Sequence, residues 1–138
     1  MSTVSTQAIA TLIAEYFAAT RVMDVEAWLE TFAEDAIDYD PVGGNVLKGH
    51  REIGQFFLSV TDMFATVGLT EEFVHIVGNE VAVKWTGRGT GKNGQEVIFE
   101  GIDLFEINAA GKIQTLRAYW NADAAIAKLQ ENRVSTQL

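Results

Sequence analysis

The segment from Gly101 to Trp120, GIDLFEINAAGKIQTLRAYW, predicts two antiparallel strands joined by a turn at Asn108-Ala109-Ala110-Gly111. Alternate residues of a strand face opposite sides of a sheet, and the glutamates at positions 96, 100 and 106 all fall on one side. The other side is therefore expected to face the core, and Asp103 lies on it. The hairpin thus predicts one carboxyl group inside an apolar patch, where burial favours the neutral form of the acid.

The register of this hairpin determines which side chains surround the acid. A four-residue loop forms three pairs, namely Asp103 with Leu116, Gly101 with Ala118, and Phe99 with Trp120. Paired residues share one face of the sheet. We therefore expect these side chains to form a continuous apolar surface around Asp103.

The composition is that of one globular domain spanning residues 1–138, in which 48% of the residues are hydrophobic. The net charge of −9 opposes binding to nucleic acid or to an anionic membrane surface. The chain has no cysteine, no basic leader segment and no apolar run approaching the ~18 residues of a membrane span. A cytoplasmic protein without a membrane partner is therefore expected.

Three helices are predicted in the first half of the chain. The first has an apolar stripe made of Ile9, Leu12, Ile13, Tyr16, Phe17 and Thr20. The second follows an N-cap at Asp24, and its buried residues are expected to be Val25, Trp28, Leu29 and Phe32. The third begins near His50, and its inner face is expected to hold Ile53, Phe56, Phe57, Val60 and Phe64.

Strands dominate the second half of the chain. A period of two predicts strands at 73–77, 81–90, 95–107 and 112–121, before a terminal helix at 123–130 and frayed last residues. Helices followed by a meander of antiparallel strands are typical of an α+β fold. A curved sheet around a few helices forms a cone with an open mouth.

Three side chains are placed where such a cone converges, namely Tyr16, Asp40 and Asp103. Asp40 ends a short extended segment, where its carboxylate could abstract a proton from a carbon beside a carbonyl group. Tyr16 and a protonated Asp103 could donate hydrogen bonds to the enolate oxygen that forms. Asp38 lies on the same face of the segment and is the alternative base. Spacing alone does not bring these groups together, and a core tyrosine with solvated aspartates is the ordinary alternative.

Four motifs carry a resemblance to a known family: EYFAAT around Tyr16, YDPVGG around Asp40, GHREI at the third helix and IDLFEINAAGKIQTLRAYW around Asp103. With these motifs the chain resembles the ketosteroid isomerases of the nuclear transport factor 2-like superfamily over nearly its whole length. The resemblance implies a cystatin-like α+β cone, in which three N-terminal helices pack on a curved, mainly antiparallel sheet.

The same resemblance implies roles for individual residues. Asp40 would be the general base, and Tyr16 and Asp103 would be the oxyanion-hole donors. The substrate-binding wall would consist of Leu116, Ala118, Trp120, Phe99 and Phe57. Neither a cofactor nor a metal would take part, and the ligand would be a small apolar molecule of the steroid or polyketide type. Two chains would form a homodimer through the outer face of the sheet, where Ile98, Ile102 and Leu104 are expected.

The register of the preceding hairpin decides whether the site is apolar. A two-residue turn at Asn93-Gly94 would place Lys84 opposite Asp103, with Thr86 and Arg88 on the same face. A neighbouring ammonium group would keep Asp103 ionised. An odd-length loop or a bulge would instead turn inward Val81, Val83 and Trp85. Gap-free spacing to the isomerases favours the polar arrangement.

Other functions on the same cone are the alternatives. The chain also departs from the isomerases at Phe32 and Phe57, which stand where tyrosines often support the oxyanion tyrosine. Polyketide cyclase, dehydratase and epoxide hydrolase chemistries occur in the superfamily, and the last needs an Asp-Arg-Asp arrangement for which only Arg88 is a candidate. A non-catalytic small-molecule-binding module is the remaining possibility, because one fold hosts many functions.

Overall fold

A computed structural model describes residues 4–130 and contains helices on one face of a six-stranded sheet. The helices are α1 (Thr6–Arg21), α2 (Val25–Glu30), α3 (Gly49–Thr61) and α4 (Ala122–Leu129). The strands are β1 (Phe32–Tyr39), β2 (Val46–Lys48), β3 (Phe64–Val77), β4 (Glu80–Gly91), β5 (Glu96–Ile107) and β6 (Ile113–Trp120). The sheet order is β2-β1-β6-β5-β4-β3, and β1 and β6 form its parallel pair. The predicted α+β cone is confirmed, and the predicted fraying lies outside the described residues.

Local sequence signals account for the helix positions. Ser5 caps α1 by accepting a hydrogen bond from the amide of Ala8, and all six apolar-stripe residues predicted for this helix are buried. Asp24 caps α2 in the same way, with the amide of Ala27 as donor. Phe32 and Phe64 were expected to end the second and third helices, but each begins a strand.

The long strand β3 shows how bulges hide a pattern. A strand was predicted at 73–77, but β3 runs from Phe64 and pairs with β4 along its whole length. The register shifts between Phe64 and Thr66 and again between Glu71 and Phe73. Each bulge reverses the inside–outside alternation, so no single period of two runs through the strand. The three-residue strand β2 was not predicted.

The β4–β5 hairpin has the odd-length loop. The amide of Gly91 donates to the carbonyl of Gln95 at 2.8 Å, and Gly94 has the positive φ of 82° that this three-residue turn requires. Val83 therefore pairs with Asp103, and Lys84 lies on the outer face in ion pairs with Glu72 (2.8 Å) and Glu100 (3.1 Å). The expectation that Lys84 faces Asp103 is wrong, because the loop is one residue longer than the gap-free spacing assumed.

The β5–β6 hairpin is also shifted from its predicted register. Phe105 pairs with Leu116, Asp103 with Ala118 and Gly101 with Trp120. The loop is one residue longer than predicted, and a bulge next to Ile107 adds another. Two single-residue shifts move the pairs by two positions. The inward-facing residues consequently remain inward, while the neighbours of Asp103 change.

Candidate active site

A cavity of about 80 Å³ opens between the helices and the concave face of the sheet. Most of its wall is aromatic or aliphatic, and its acidic or phenolic groups are those of Tyr16, Asp40 and Asp103. The structure thus brings these three predicted residues to one cavity. The remaining lining residues are Thr20, Trp28, Phe56, Phe57, Val60, Thr61, Val67, Gly68, Leu69, Trp85, Phe99, Ala118 and Trp120.

Asp40 follows the last residue of β1, and its backbone is held on both sides. Its amide donates to the carbonyl of Asn45 at 3.1 Å, and the Asn45 side chain donates back to the Asp40 carbonyl at 2.9 Å. The carboxylate accepts a hydrogen bond from the indole N–H of Trp120 at 2.7 Å, and the residue is 6% exposed. The carboxylate of Asp40 is therefore oriented by β6 at the cavity wall.

Burial raises the pKa of Asp40 to about 6. The neighbouring Asp38 side chain and the indole N–H of Trp120 act in the opposite direction and keep the pKa of Asp40 from rising further. A carboxyl group with this pKa is mostly ionised at neutral pH and is still basic enough to accept a proton from carbon. Asp40 thus has the protonation behaviour of a general base.

Asp103 is more deeply buried than Asp40. Its side chain is 1% exposed and lies between Val83 of β4 and Ala118 of β6. Burial first, and then the negative charge of Asp40, raise its pKa well above the usual range. The indole N–H of Trp85 partly lowers that pKa, although neither Asp103 oxygen has a hydrogen-bond partner within residues 4–130. An unpartnered buried carboxylic acid at a cavity wall can donate its proton in a hydrogen bond to a ligand.

Tyr16 projects from α1 into an aromatic cluster. Its ring contacts those of Phe17 and Phe105 edge-on, with centroids 4.9 and 5.1 Å apart, and Phe32 lies 5.9 Å away. Burial, then the charges of the nearby aspartates, raise the pKa of the Tyr16 phenol well above its usual value. The hydroxyl is consequently a neutral donor at the cavity wall.

Four of the five predicted wall residues line the cavity: Ala118, Trp120, Phe99 and Phe57. Leu116 does not, because the two-position shift of the hairpin places it opposite Phe105 in the core, where it is fully buried. Trp28 and Trp85 line the cavity without having been predicted to do so. The sequence did contain a signal for Trp85. Val81, Val83 and Trp85 alternate along β4, and their hydrophobicity favours the inward face of the sheet.

Two glycines allow aromatic side chains of the cavity wall to pack directly against the sheet backbone. A Cβ atom on Gly101 would collide with the indole ring of Trp85, and one on Gly87 would lie 2.5 Å from the Phe99 ring. Both separations are shorter than side chains tolerate, so the sheet needs glycine where these rings cross it. A larger residue at either position would displace Trp85 or Phe99.

The basic side chains Arg88, His50 and His75 do not line the cavity. Arg88, the candidate for an Asp-Arg-Asp arrangement, is exposed and absent from the lining. His50 contacts the carbonyl of Phe32 at 3.0 Å, and His75 is exposed. Within residues 4–130, no group of three or more His, Cys, Asp or Glu side chains could hold a metal ion, and no helix is long and apolar enough to cross a membrane.

Several known proteins resemble this chain in sequence and fold. A steroid Delta-isomerase of Nocardioides simplex is 27% identical over 108 residues, which cover 78% of this chain and 85% of that protein. The epoxide hydrolase/cyclase-like enzyme SalBIII, described with a role in pyran ring formation in the polyether salinomycin, is 29% identical with a TM-score of 0.76. That alignment covers 85% of this chain and 93% of SalBIII.

Two further solved structures share the fold at lower identity. TerC, co-crystallised with polyporic acid, has a TM-score of 0.77 at 18% identity. The alignment covers 90% of this chain and 99% of the TerC chain. A Mycobacterium tuberculosis protein in complex with estradiol-17beta-hemisuccinate has a TM-score of 0.74 at 23% identity, covering 84% and 95%. Residues 13–116 match the family described as SnoaL-like domain. The chain therefore belongs to the SnoaL-like domain family, within the nuclear transport factor 2-like superfamily.

Proposed function

We propose that the protein is a cofactor-free isomerase that moves a proton beside a ketone through an enolate. The observation that carries the proposal is that Tyr16, Asp40 and Asp103 line one cavity. Asp40, with a pKa of about 6, faces the same space as Tyr16 and Asp103, whose pKa values are raised well above their usual ranges. One base and two neutral donors are the groups that enolisation needs.

Asp40 acts twice in the reaction, first as a base and then as an acid. The Asp40 carboxylate takes a proton from the carbon next to the carbonyl, and the electron pair of the C–H bond moves into a new C=C bond while the carbonyl oxygen becomes an enolate. Tyr16 and Asp103 donate hydrogen bonds to that oxygen. Protonated Asp40 then returns the proton to the far carbon of the conjugated system. The double bond has moved, and Asp40 is again a carboxylate.

The cavity wall supports an apolar, rigid substrate. Phe57, Phe99, Trp85 and Trp120 present aromatic faces, and the cationic side chains Lys84 and Arg88 lie outside the cavity. Without a cation to pair with it, an anionic substrate group would face the negative charge of Asp40. These walls favour an uncharged, apolar ketone, and the likeness to a steroid Delta-isomerase supports a ketone of the steroid class.

The pH dependence of turnover tests this proposal. Conversion of a β,γ-unsaturated ketosteroid to its conjugated enone is followed by ultraviolet absorbance between pH 4.5 and 8.5. Because Asp40 must be ionised, kcat/KM is expected to fall roughly tenfold per pH unit below the pKa of about 6 and to level off above it. No enone formation by the folded protein, or a rate that rises with acidity, would contradict the isomerase proposal.

Epoxide-opening cyclisation is the second candidate. Its support is that a neutral acid, Asp103, and an ionised base, Asp40, face one cavity, together with the likeness to SalBIII. Asp40 would deprotonate a substrate hydroxyl while Asp103 protonates the epoxide oxygen, so that a C–O bond closes as another opens. Product analysis with an apolar hydroxy-epoxide distinguishes the candidates, and an unchanged epoxide alongside rapid enone formation would reject cyclisation.

We infer that two chains associate through the outer face of the sheet. Ile98, Ile102 and Leu104 of β5 are 64%, 47% and 40% exposed on that face. Such a patch of apolar side chains favours an interface. Light scattering at micromolar concentration is expected to give a molar mass twice that of one chain. Ile102→Arg is expected to reduce this mass to that of the monomer. Gln55→Arg, on an exposed position of α3, is the matched control, and a monomeric wild type would contradict the dimer.

A further inference from the structure

Asp38 is a buried carboxyl group that the proposed reaction does not use. It lies on β1 two residues before Asp40 and pairs with Leu116 of the parallel strand β6. Its exposure is 0%, and it is absent from the residues that line the cavity. The side chain therefore lies behind the wall, where a substrate does not reach it.

The surroundings of Asp38 require a proton on its carboxyl group. Neither of its oxygens has a hydrogen-bond donor within the described part of the chain, so an ionised Asp38 would be a buried charge without compensation. Burial, then the charge of Asp40 and a hydrogen bond to it, then the charge of Asp103, raise the pKa of Asp38 well above the usual range. A neutral Asp38 avoids the penalty and has one O–H to donate.

Asp40 is the charged group placed to accept that proton. Alternation along β1 places both side chains on one face of the strand. Other titratable groups cannot take this role: Asp103 and Tyr16 are neutral donors themselves, and Arg117 of β6 lies over the Tyr39 ring at 5.0 Å. On the neighbouring elements, Lys48 of β2 is exposed and His50 of α3 contacts a backbone carbonyl.

We propose that Asp38 is a positioning residue, a protonated acid behind the cavity wall that donates a hydrogen bond to Asp40 and holds its carboxylate ionised and oriented for proton abstraction. Trp120 is then one of two donors to the base, and Asp38 is the other. With both donors present, Asp40 stays ionised at neutral pH although it is buried beside two other acids. This role rests on the proposed function of Asp40 as the base, but the hydrogen bond can be measured without any turnover.

The direct test is a titration of the aspartate side-chain carboxyl carbons by NMR in ¹³C-labelled protein. Asp38→Val removes the donor at nearly constant volume, and Asp38→Asn keeps a neutral N–H donor at the same position. Because a hydrogen bond to a charged group is worth more than one neutral bond, the valine variant is expected to raise the pKa of Asp40 by roughly one unit. The asparagine variant is expected to shift it much less, and Glu34→Gln, an exposed position of the same strand, is the control.

Kinetics provide the second readout. If the protein isomerises the ketosteroid, the acid limb of kcat/KM is expected to move upward with the Asp40 titration in Asp38→Val and to return in Asp38→Asn. A residue that only fills space would not move this limb. If turnover is absent while the Asp40 titration still shifts, the isomerase proposal fails and the role of Asp38 stands.

Two results would overturn the role of Asp38. One is an Asp40 titration that Asp38→Val leaves unchanged or lowers. The other is an Asp38 carbon in the wild type that has the chemical shift of an ionised carboxylate at pH 7. The second observation needs no variant, so the proposal can be rejected even if Asp38→Val does not fold. The valine variant is nevertheless expected to be at least as thermally stable as the wild type, since it replaces a buried polar group with an apolar one of similar shape.

Discussion

Replacing Asp40 with asparagine is expected to lower kcat for ketosteroid isomerisation by roughly 10²- to 10⁴-fold, which is the usual contribution of a positioned general base. The amide cannot accept a proton from carbon at neutral pH, yet it can still accept the 2.7 Å hydrogen bond from Trp120. The cavity should therefore keep its shape, and KM should change little. Stopped-flow or steady-state ultraviolet assays of the purified variant measure both constants.

The control for Asp40→Asn is Glu34→Gln, which removes a negative charge from an exposed position of the same strand. It is expected to retain wild-type rates. A folded Asp40→Asn variant that isomerises the substrate at the wild-type rate would remove Asp40 from the reaction. Asp38 is the alternative base on this face. If Asp38→Asn also isomerised the substrate at the wild-type rate, Asp38 would be rejected as the base as well.

Replacing Asp103 with leucine is expected to lower kcat by roughly 10²- to 10³-fold, the usual cost of removing one oxyanion donor. The change removes the proton that Asp103 presents to the cavity and leaves an apolar side chain of similar size. Asp103→Asn keeps a neutral donor at the same position and is expected to lose far less activity. The raised pKa of Asp103 favours its protonated form, so neither variant is expected to change the net charge of the cavity.

Two observations would contradict this role of Asp103. If the leucine and asparagine variants lost equal activity, hydrogen-bond donation would not explain the effect. If both lost none, Asp103 would be a structural acid only. Glu106→Gln changes an exposed carboxylate of the same strand and is the matched control. Thermal denaturation of each variant separates a loss of donor from a loss of fold.

The inward direction of Asp103 could be predicted from sequence because glutamates mark the outer face of β5. The residues opposite it could not be predicted. Loop length and bulges set the register, and the β5–β6 hairpin contains one extra loop residue and one bulge. These two shifts replaced Leu116 with Ala118 beside the acid. In the β4–β5 hairpin a single shift was enough to exchange Lys84 for Val83.

Long-range contacts were the other limit of sequence reasoning. The helical stripe of α1 identified Tyr16 as buried, and the Asp-Pro junction identified the end of β1. The parallel pairing of β1 with β6 carries the hydrogen bond between Asp40 and Trp120, and it joins segments about 80 residues apart. Asp38 was recognised only as a rival base. Its position behind the cavity depends on that same pairing, so its burial could not be read from the local pattern.

Proton exchange in deuterated water tests the central claim most directly, because it reports enolisation itself. A saturated 3-ketosteroid is incubated with the wild type or with Asp40→Asn, and the protons on carbons beside the carbonyl are followed by ¹H NMR. Exchange of those protons by the wild type, with loss of that exchange in Asp40→Asn and none at distant carbons, is the predicted result. Exchange at the buffer rate in the wild type, or equal exchange by both proteins, would contradict Asp40-driven enolisation.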